Sequence, residues 1–387
     1  MLRFTRGVHL LKKSAPRSSL VPAFEEQDAV FAGAWAVLQN AISTSAFPAA
    51  SVAVTRRGKL IALKAFGRFA YAGDGTSNPA VTPGTLFDLA SLTKPVATTT
   101  MAAILCERGE LDIDAPIVGT IPEFGVDSTG QPDPRRRKVT FRMLLAHSSG
   151  LPAYEKLFLK AQTRGELLSA AFTTPLSADP GSRAEYSDIG FIIFGVALER
   201  VAQEFLDGFC RREIFDRLAM TSTIFNPPEA ARAQIPPTAD EREKFRKRII
   251  QGEVQDENAS VLRGVAGHAG LFSSAEDLAR FAHALLQGGH PILRPETVAL
   301  FTRRESSPSG TTRALGWDTP SSPSQSGKYF GPNSYGHLGY TGTSLWIDPD
   351  RELSITLLTN RTWPDCSNKA IQQVRPKFHD AIIEALG

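Results

Sequence analysis

Cysteine is scarce in this chain. Cys106, Cys210 and Cys366 are the only three among 387 residues, they lie far apart, and no CxxC pair occurs. A disulfide framework and a cysteine-built zinc cage are therefore excluded. No run approaches 18 apolar residues, so no membrane-spanning helix is expected. A dominant charge is missing too: 43 basic side chains face 40 acidic ones, for a formal net charge of +3. Arg3, Arg6, Lys12, Lys13 and Arg17 all precede the first acid, Glu25, so the positive excess sits in the N-terminal tail and the remainder is slightly acidic. That balance argues against a nucleic-acid partner. Two catalytic signatures are also absent. Without Gly-x-Ser-x-Gly an α/β-hydrolase is disfavoured, and without HExxH or paired-ligand spacing no metal ligand set is expected.

What is present has the composition of a globular protein, with 42% hydrophobic and 21% charged residues, and the length suffices for a large core. Residues 1–23 carry no apolar stretch of the kind a secretory signal needs. They are expected to form a disordered or targeting-like tail, and the expected compartment is the cytoplasm. Residues 24–387 then form the folded part. Phe31, Trp35, Leu38 and Ile42 recur at helical spacing, which predicts a helix over 24–44, with Glu25, Glu26 and Asp28 at its positive end. Two β-rich runs, 50–55 and 60–63, flank Arg57-Gly58 and read as a hairpin. A helix is predicted over 92–106. Helical segments and loops alternate from about 114 to 263, with an amphipathic helix at 278–286. Strands return at 340–347 and 353–359 around an Asp348-Pro349-Asp350 turn, and a last helix covers 368–386 with Pro376 inside it. The run at 308–327, rich in Ser, Pro and Gly, reads as a flexible surface loop. The basic run Arg135-Arg136-Arg137-Lys138 reads as solvated. Strands from the two ends of the chain can pair in one antiparallel sheet, which predicts an α+β fold: a sheet subdomain from about 24–113 and 264–387, and a helical insertion over about 114–263.

Three clusters carry chemistry. The first is Ser91-Leu92-Thr93-Lys94, the only serine in the chain with a lysine three residues on. At that spacing the hydroxyl and the amine share one helical face. A serine hydroxyl is a weak nucleophile until a base takes its proton, and a buried lysine whose pKa has fallen can do so. The second is Tyr186-Ser187-Asp188. A phenol beside an ammonium group can be partly ionised and shuttle protons, while Ser187 or Asp188 caps the apolar helix that follows. The third is His337-Leu338-Gly339 with Tyr340, at the head of a strand. Glycine there lets a ligand approach the backbone, N–H groups can face an oxyanion, and His337 can donate to a substrate or relay protons.

In this order and spacing, Ser-x-x-Lys, Tyr-Ser-Asp and His-x-Gly resemble the serine hydrolases of the class C β-lactamase, DD-peptidase and family VIII esterase group. Residues 142–152, 264–274 and 342–349 resemble further segments of that family, and the resemblance spans about residues 25–387. It implies a β-lactamase/DD-peptidase-like fold. Ser91 is then the nucleophile, and Lys94 and Tyr186 share general-base and general-acid work. The N–H groups of Ser91 and Tyr340 form the oxyanion hole, and Asp188, His337 and Gly339 contact the substrate. No metal or organic cofactor is implied, and the partner is a small ester, amide or peptide substrate, with the oligomeric state left open. Two departures matter. Asp188 stands where Asn is frequent, and an ionised Asp only accepts hydrogen bonds. It can instead pair with Lys94, raise the lysine's pKa and favour Tyr186 as the base. His337 stands where many β-lactamases have Lys and some DD-peptidases of the group have His, so the resemblance favours an esterase or D-alanyl-D-alanine carboxypeptidase-like activity, with a β-lactamase proper or a non-catalytic peptide-binding or scaffold member of the same fold as the alternatives. His147, His268 and Asp256-Glu257-Asn258 read as hydrogen-bonded residues that fix loops.

Overall fold

The computed structural model describes residues 19–73 and 78–387, so most of the expected tail lies outside the described residues. Strands β1 (Val21–Pro22), β2 (Ala49–Arg56), β3 (Lys59–Gly67), β9 (Tyr335–Leu338), β10 (Ser344–Asp348) and β11 (Leu353–Thr359) form one sheet in the order β1-β3-β2-β11-β10-β9. All pairs are antiparallel except the short parallel β1–β3 contact. The early hairpin β2–β3 is thus joined to the late hairpin β10–β11 through a full-length ladder, Ala50 opposite Thr359 and Arg56 opposite Leu353.

Central strands β2 and β11 are buried on both faces, so Ser51, Thr55, Ser354 and Thr356 lie inside among their apolar residues. On one face Val52, Val54, Ile355 and Leu357 pack with Trp35 and Leu38 of α1 (Ala32–Ser43) and with Phe378 and Ile382 of the last helix, Ile371–Leu386. On the other face Ala53 and Leu358 join a core that includes Leu278, Phe281 and Ala282 of the amphipathic helix Ala275–Leu286. Each large apolar side chain withdrawn from water in this way stabilises by about 1.5–3 kcal/mol before entropy is counted.

In chain order the remaining helices that position the site are α2 (Thr100–Glu107), α3 (Phe141–Leu145), α4 (Arg164–Thr173), α5 (Asp188–Ala202) and α6 (Glu257–Val261), followed by the two just described, α7 and α8. A three-stranded sheet, β4 (Phe87–Asp88), β8 (Leu271–Ser273) and β5 (Ile224–Phe225), in the order β4-β8-β5, lies beside Ser91, and β6 (Pro237–Asp240) pairs with β7 (Ile249–Gln251).

Several expectations need correction. The first helix is broken at Phe31, between a turn at Gln27–Val30 and α1, where Phe31 packs on Trp35 with ring centres 5.6 Å apart. The expected strand over 340–347 begins only at Ser344, because Gly339 to Thr343 form a tight turn. Arg136 is not solvated. It is 1% exposed, lies over the Phe124 ring and donates to Phe172 O at 2.8 Å. The stretch 308–327 is not a free loop either, since Ala314, Leu315 and Trp317 are buried and Arg313 pairs with Asp318. Composition suggested solvent in both places, but carbonyl and aromatic partners distant in sequence decide the outcome.

Candidate active site

Ser91 sits in a single 3-10 turn, Ala90–Leu92, and the chain then passes through a π-helical turn, Lys94–Thr99, into α2. The regular helix expected from residue 92 thus starts only at Thr100. Ala90 adopts φ +46°, a left-handed conformation that costs a non-glycine residue free energy. Asp88 holds it there by accepting the Ala90 N–H at 2.8 Å and the Gln255 N–H at 2.6 Å. Burial pushes the Asp88 carboxyl up to about 6.

Lys94 is fully buried, and its three N–H donors have three acceptors: Ser91 Oγ at 3.0 Å, Asp188 Oδ1 at 2.6 Å and the His268 carbonyl at 3.1 Å. Burial pulls its pKa below the ordinary lysine value, and Asp188 and Asp256 act against that shift. The expected Asp188–Lys94 pair is present, but desolvation outweighs it. The Tyr186 hydroxyl lies 2.7 Å from Ser91 Oγ and 3.1 Å from Asp188 Oδ1. Burial first, and then Asp188, push the phenol well above its usual value. A shift in that direction favours the neutral hydroxyl over the ionised form.

Local structure explains why Tyr186 and Asp188 reach this point. Ser187 caps α5, its Oγ accepting the Gly190 N–H at 2.9 Å, so Asp188 opens the helix and Tyr186 stands just before it. His147, in a left-handed conformation at φ +56°, accepts the Ser187 N–H on Nδ1 at 3.0 Å and packs its ring 4.7 Å from that of Tyr186. Burial lowers its pKa well below the usual histidine value, so it is a neutral structural group. His268 pairs through Nε2 with Asp256 at 2.8 Å, and Asp256 caps α6. Asn258 ties the loop at Glu155 and Phe158. These hydrogen bonds tie His147, His268, Asp256 and Asn258 to the loops around them.

Gly339 to Thr343 pack against Asp88 and Leu89, just before Ser91. Thr341 and Thr343 donate to the carbonyls of Asp88 and Leu89 at 2.8 and 3.0 Å, tying this turn to the segment that carries Ser91. A Cβ on Gly339 would meet Leu89 O at 2.5 Å, so only glycine fits. Among the described residues the Tyr340 N–H has no partner, while its side chain is 45% exposed. His337 is 2% exposed and its Nδ1 lies 2.8 Å from Leu338 O. A carbonyl only accepts, so Nδ1 carries the proton and the unpartnered Nε2 is an acceptor. Burial drives its pKa well below the usual value. In the neutral ring His337 thus offers Nε2 to the site as an acceptor.

All seven residues singled out from the sequence lie in this region. Arg313, Arg361 and Arg375 were missed. The Arg313 guanidinium lies 5.6 Å from the centre of the Tyr186 ring, and Arg361 and Arg375 donate to carbonyls of the 339–343 turn. Nothing in local spacing separates them from surface arginines. Among the described residues no group of three or more His, Cys, Asp or Glu could hold a metal ion, and no helix is long and apolar enough to cross a membrane.

Residues 28–375 match the family described as Beta-lactamase. A Salmonella agona protein provisionally named D-alanyl-D-alanine carboxypeptidase is 31% identical, over 86% of this chain and 83% of that protein. An N-acetylmuramyl-L-alanine amidase of Bacillus subtilis is 33% identical, over 81% of this chain and 77% of its own. Among solved structures, EstCE1, a hydrolase with promiscuous acyltransferase activity, superposes with a TM-score of 0.74 at 22% identity, covering 92% of this chain and 99% of that one. A class C beta lactamase from Rhodobacter sphaeroides gives 0.68 at 22% identity, covering 92% and 99%.

Proposed function

We propose, from the premise that the chain belongs to the beta-lactamase family of serine hydrolases, that it cleaves an ester or amide bond through an acyl-enzyme on Ser91. The observation that carries this reading is the approach of Lys94 Nζ and Tyr186 OH to the one oxygen, Ser91 Oγ, at 3.0 and 2.7 Å. Ser91 Oγ attacks the substrate carbonyl carbon, and its proton passes to a neutral Lys94 amine, directly or through the Tyr186 hydroxyl. The neutral amine keeps two N–H donors, matched by Asp188 and the His268 carbonyl, and turns its lone pair to Ser91. Lys94 is thus the base and Tyr186 the proton carrier, the reverse of the assignment that pairing with Asp188 alone suggested.

The carbonyl oxygen becomes an anion held by the N–H groups of Ser91 and Tyr340. As the scissile bond breaks, Tyr186 protonates the leaving group and takes a proton back from Lys94. Water then attacks the acyl-enzyme by the same relay, and the proton returns to Ser91. The residues come from both ends and the middle of the chain, which supports reading the site as the junction of a sheet part, about 24–113 and 264–387, with a helical insertion over about 114–263.

For the substrate we favour a carboxylic ester over a β-lactam, because a neutral acceptor at His337 has no charge with which to hold the β-lactam carboxylate, and the relative named for D-alanyl-D-alanine supports such a peptide as the second candidate. Ser91→Ala is expected to lower hydrolysis of p-nitrophenyl butyrate by about 10⁴-fold or more and to abolish the fluorophosphonate adduct seen by intact mass, with an unchanged circular dichroism spectrum. Full activity in that variant removes the assignment. Nitrocefin turnover rivalling that of the ester reverses the substrate preference.

A further inference from the structure

Arg375 is a buried cation that the relay does not use. It lies in the first turns of α8, 5% exposed, and no carboxylate pairs with it among the described residues. Burial, and after it the nearby Arg361, lower its pKa to about 9, which leaves it charged at neutral pH. An unpaired guanidinium in the interior is costly unless its donors are satisfied. Here the partners are three carbonyls of one turn: Nη2 donates to Gly339 O at 2.7 Å and to Thr343 O at 3.1 Å, and Nε to Gly342 O at 3.2 Å. Gly339 C=O and Tyr340 N–H are the two ends of a single peptide unit. A charge-assisted hydrogen bond on that oxygen draws electron density along the amide and makes its N–H a stronger donor. Arg361 adds a second cation to the same turn, donating from Nε to Tyr340 O at 2.7 Å.

We propose that Arg375 is a positioning residue of the oxyanion hole: its guanidinium fixes the Gly339–Thr343 turn by three carbonyls and polarises the Gly339–Tyr340 peptide toward the developing anion. This rests on the reading of Ser91 and the Tyr340 N–H given above. The proton relay of Lys94, Tyr186 and Asp188 makes no contact with Arg375, so the two parts can be separated by experiment.

The test compares wild type, Arg375→Met and Arg375→Lys with p-nitrophenyl butyrate as substrate and phenylboronic acid as an inhibitor that forms a tetrahedral anion on Ser91. In R375M, kcat is expected to fall about 10–100-fold with KM within about twofold. The boronate inhibition constant should rise by the same factor as kcat/KM falls, and R375K should recover most of both. A folded R375M with kcat and boronate affinity within twofold of wild type overturns the proposal. So does a rise in KM that accounts for the whole loss, which is what a purely structural clamp would give. If R375M does not fold by circular dichroism, Arg375→Gln decides: it keeps a hydrogen-bond donor but loses the charge, so boronate binding must weaken at least threefold, and unchanged binding rejects the proposal. Fluorophosphonate labelling of wild type tells the two failures apart. No adduct on Ser91 defeats the hydrolase reading itself, whereas an adduct with unaltered boronate affinity in R375M defeats only the role of Arg375.

Discussion

Lys94 shows how a single buried side chain can carry two protonation states. As an ammonium it fills Ser91 Oγ, Asp188 and the His268 carbonyl, and as an amine it drops only the donor to Ser91. Neither state leaves an orphaned polar group, which keeps switching inexpensive. Asp188 opposes the effect of burial on Lys94, holding the lysine pKa higher than burial alone would. In Asp188→Asn that support is lost, so the lysine deprotonates at lower pH. The acid limb of kcat/KM is then expected to move to lower pH, as measured by ester hydrolysis across a buffer series. A limb that stays in place or moves upward would assign it to another group. Ser91, Lys94, Tyr186 and Asp188 were legible in the sequence because Ser-x-x-Lys and Tyr-Ser-Asp are short local patterns whose chemistry depends on residue type. The direction of each pKa was not legible, since it depends on how much water the fold removes.

On the proposed reading, the turn from Gly339 to Thr343 is the element on which the oxyanion geometry depends. Two threonine hydroxyls bind it to the carbonyls of Asp88 and Leu89, and two guanidinium groups hold its own carbonyls. Gly339→Ala would force a methyl against Thr343 Oγ1 and Leu89 O. The turn must then lift from the Ser91 segment. We expect kcat to fall about 100-fold while the melting temperature changes by only a few degrees, read by parallel kinetics and thermal unfolding. Wild-type kcat in that variant would show that this N–H is not used. Sequence periodicity placed the late strand too early here, because the apolar and β-branched residues of the turn imitate a strand, whereas their hydroxyls are engaged with another segment.

Over the whole molecule, one sheet brings both ends of the chain together through β2 and β11, and α1 and α8 cover one of its faces while α7 covers the other. Asp88 connects this frame to the site. Its folded pKa of about 6 lies above the ordinary aspartate value of 3.8, so the native state holds its proton more readily than the unfolded chain does. That contribution to stability is complete below about pH 4 and is lost as the pH rises through 6, by about 3 kcal/mol at most. Urea unfolding of wild type and Asp88→Asn at pH 4 and pH 7.5 should therefore show a wild-type advantage that shrinks at the higher pH. A constant or growing advantage would contradict the raised pKa.

Residue order alone determined the α+β class, the two hairpins, the amphipathic helix α7 and the set of candidate site side chains, because helical and strand periods and short motifs are written over a few neighbours. Only the tertiary structure decided that Arg136, Arg313 and Arg375 are drawn inward, that a main-chain carbonyl at His268 holds the lysine, and that His337 is a neutral acceptor. Those outcomes turn on burial and on backbone carbonyls contributed from distant parts of the chain, and no local spacing encodes either.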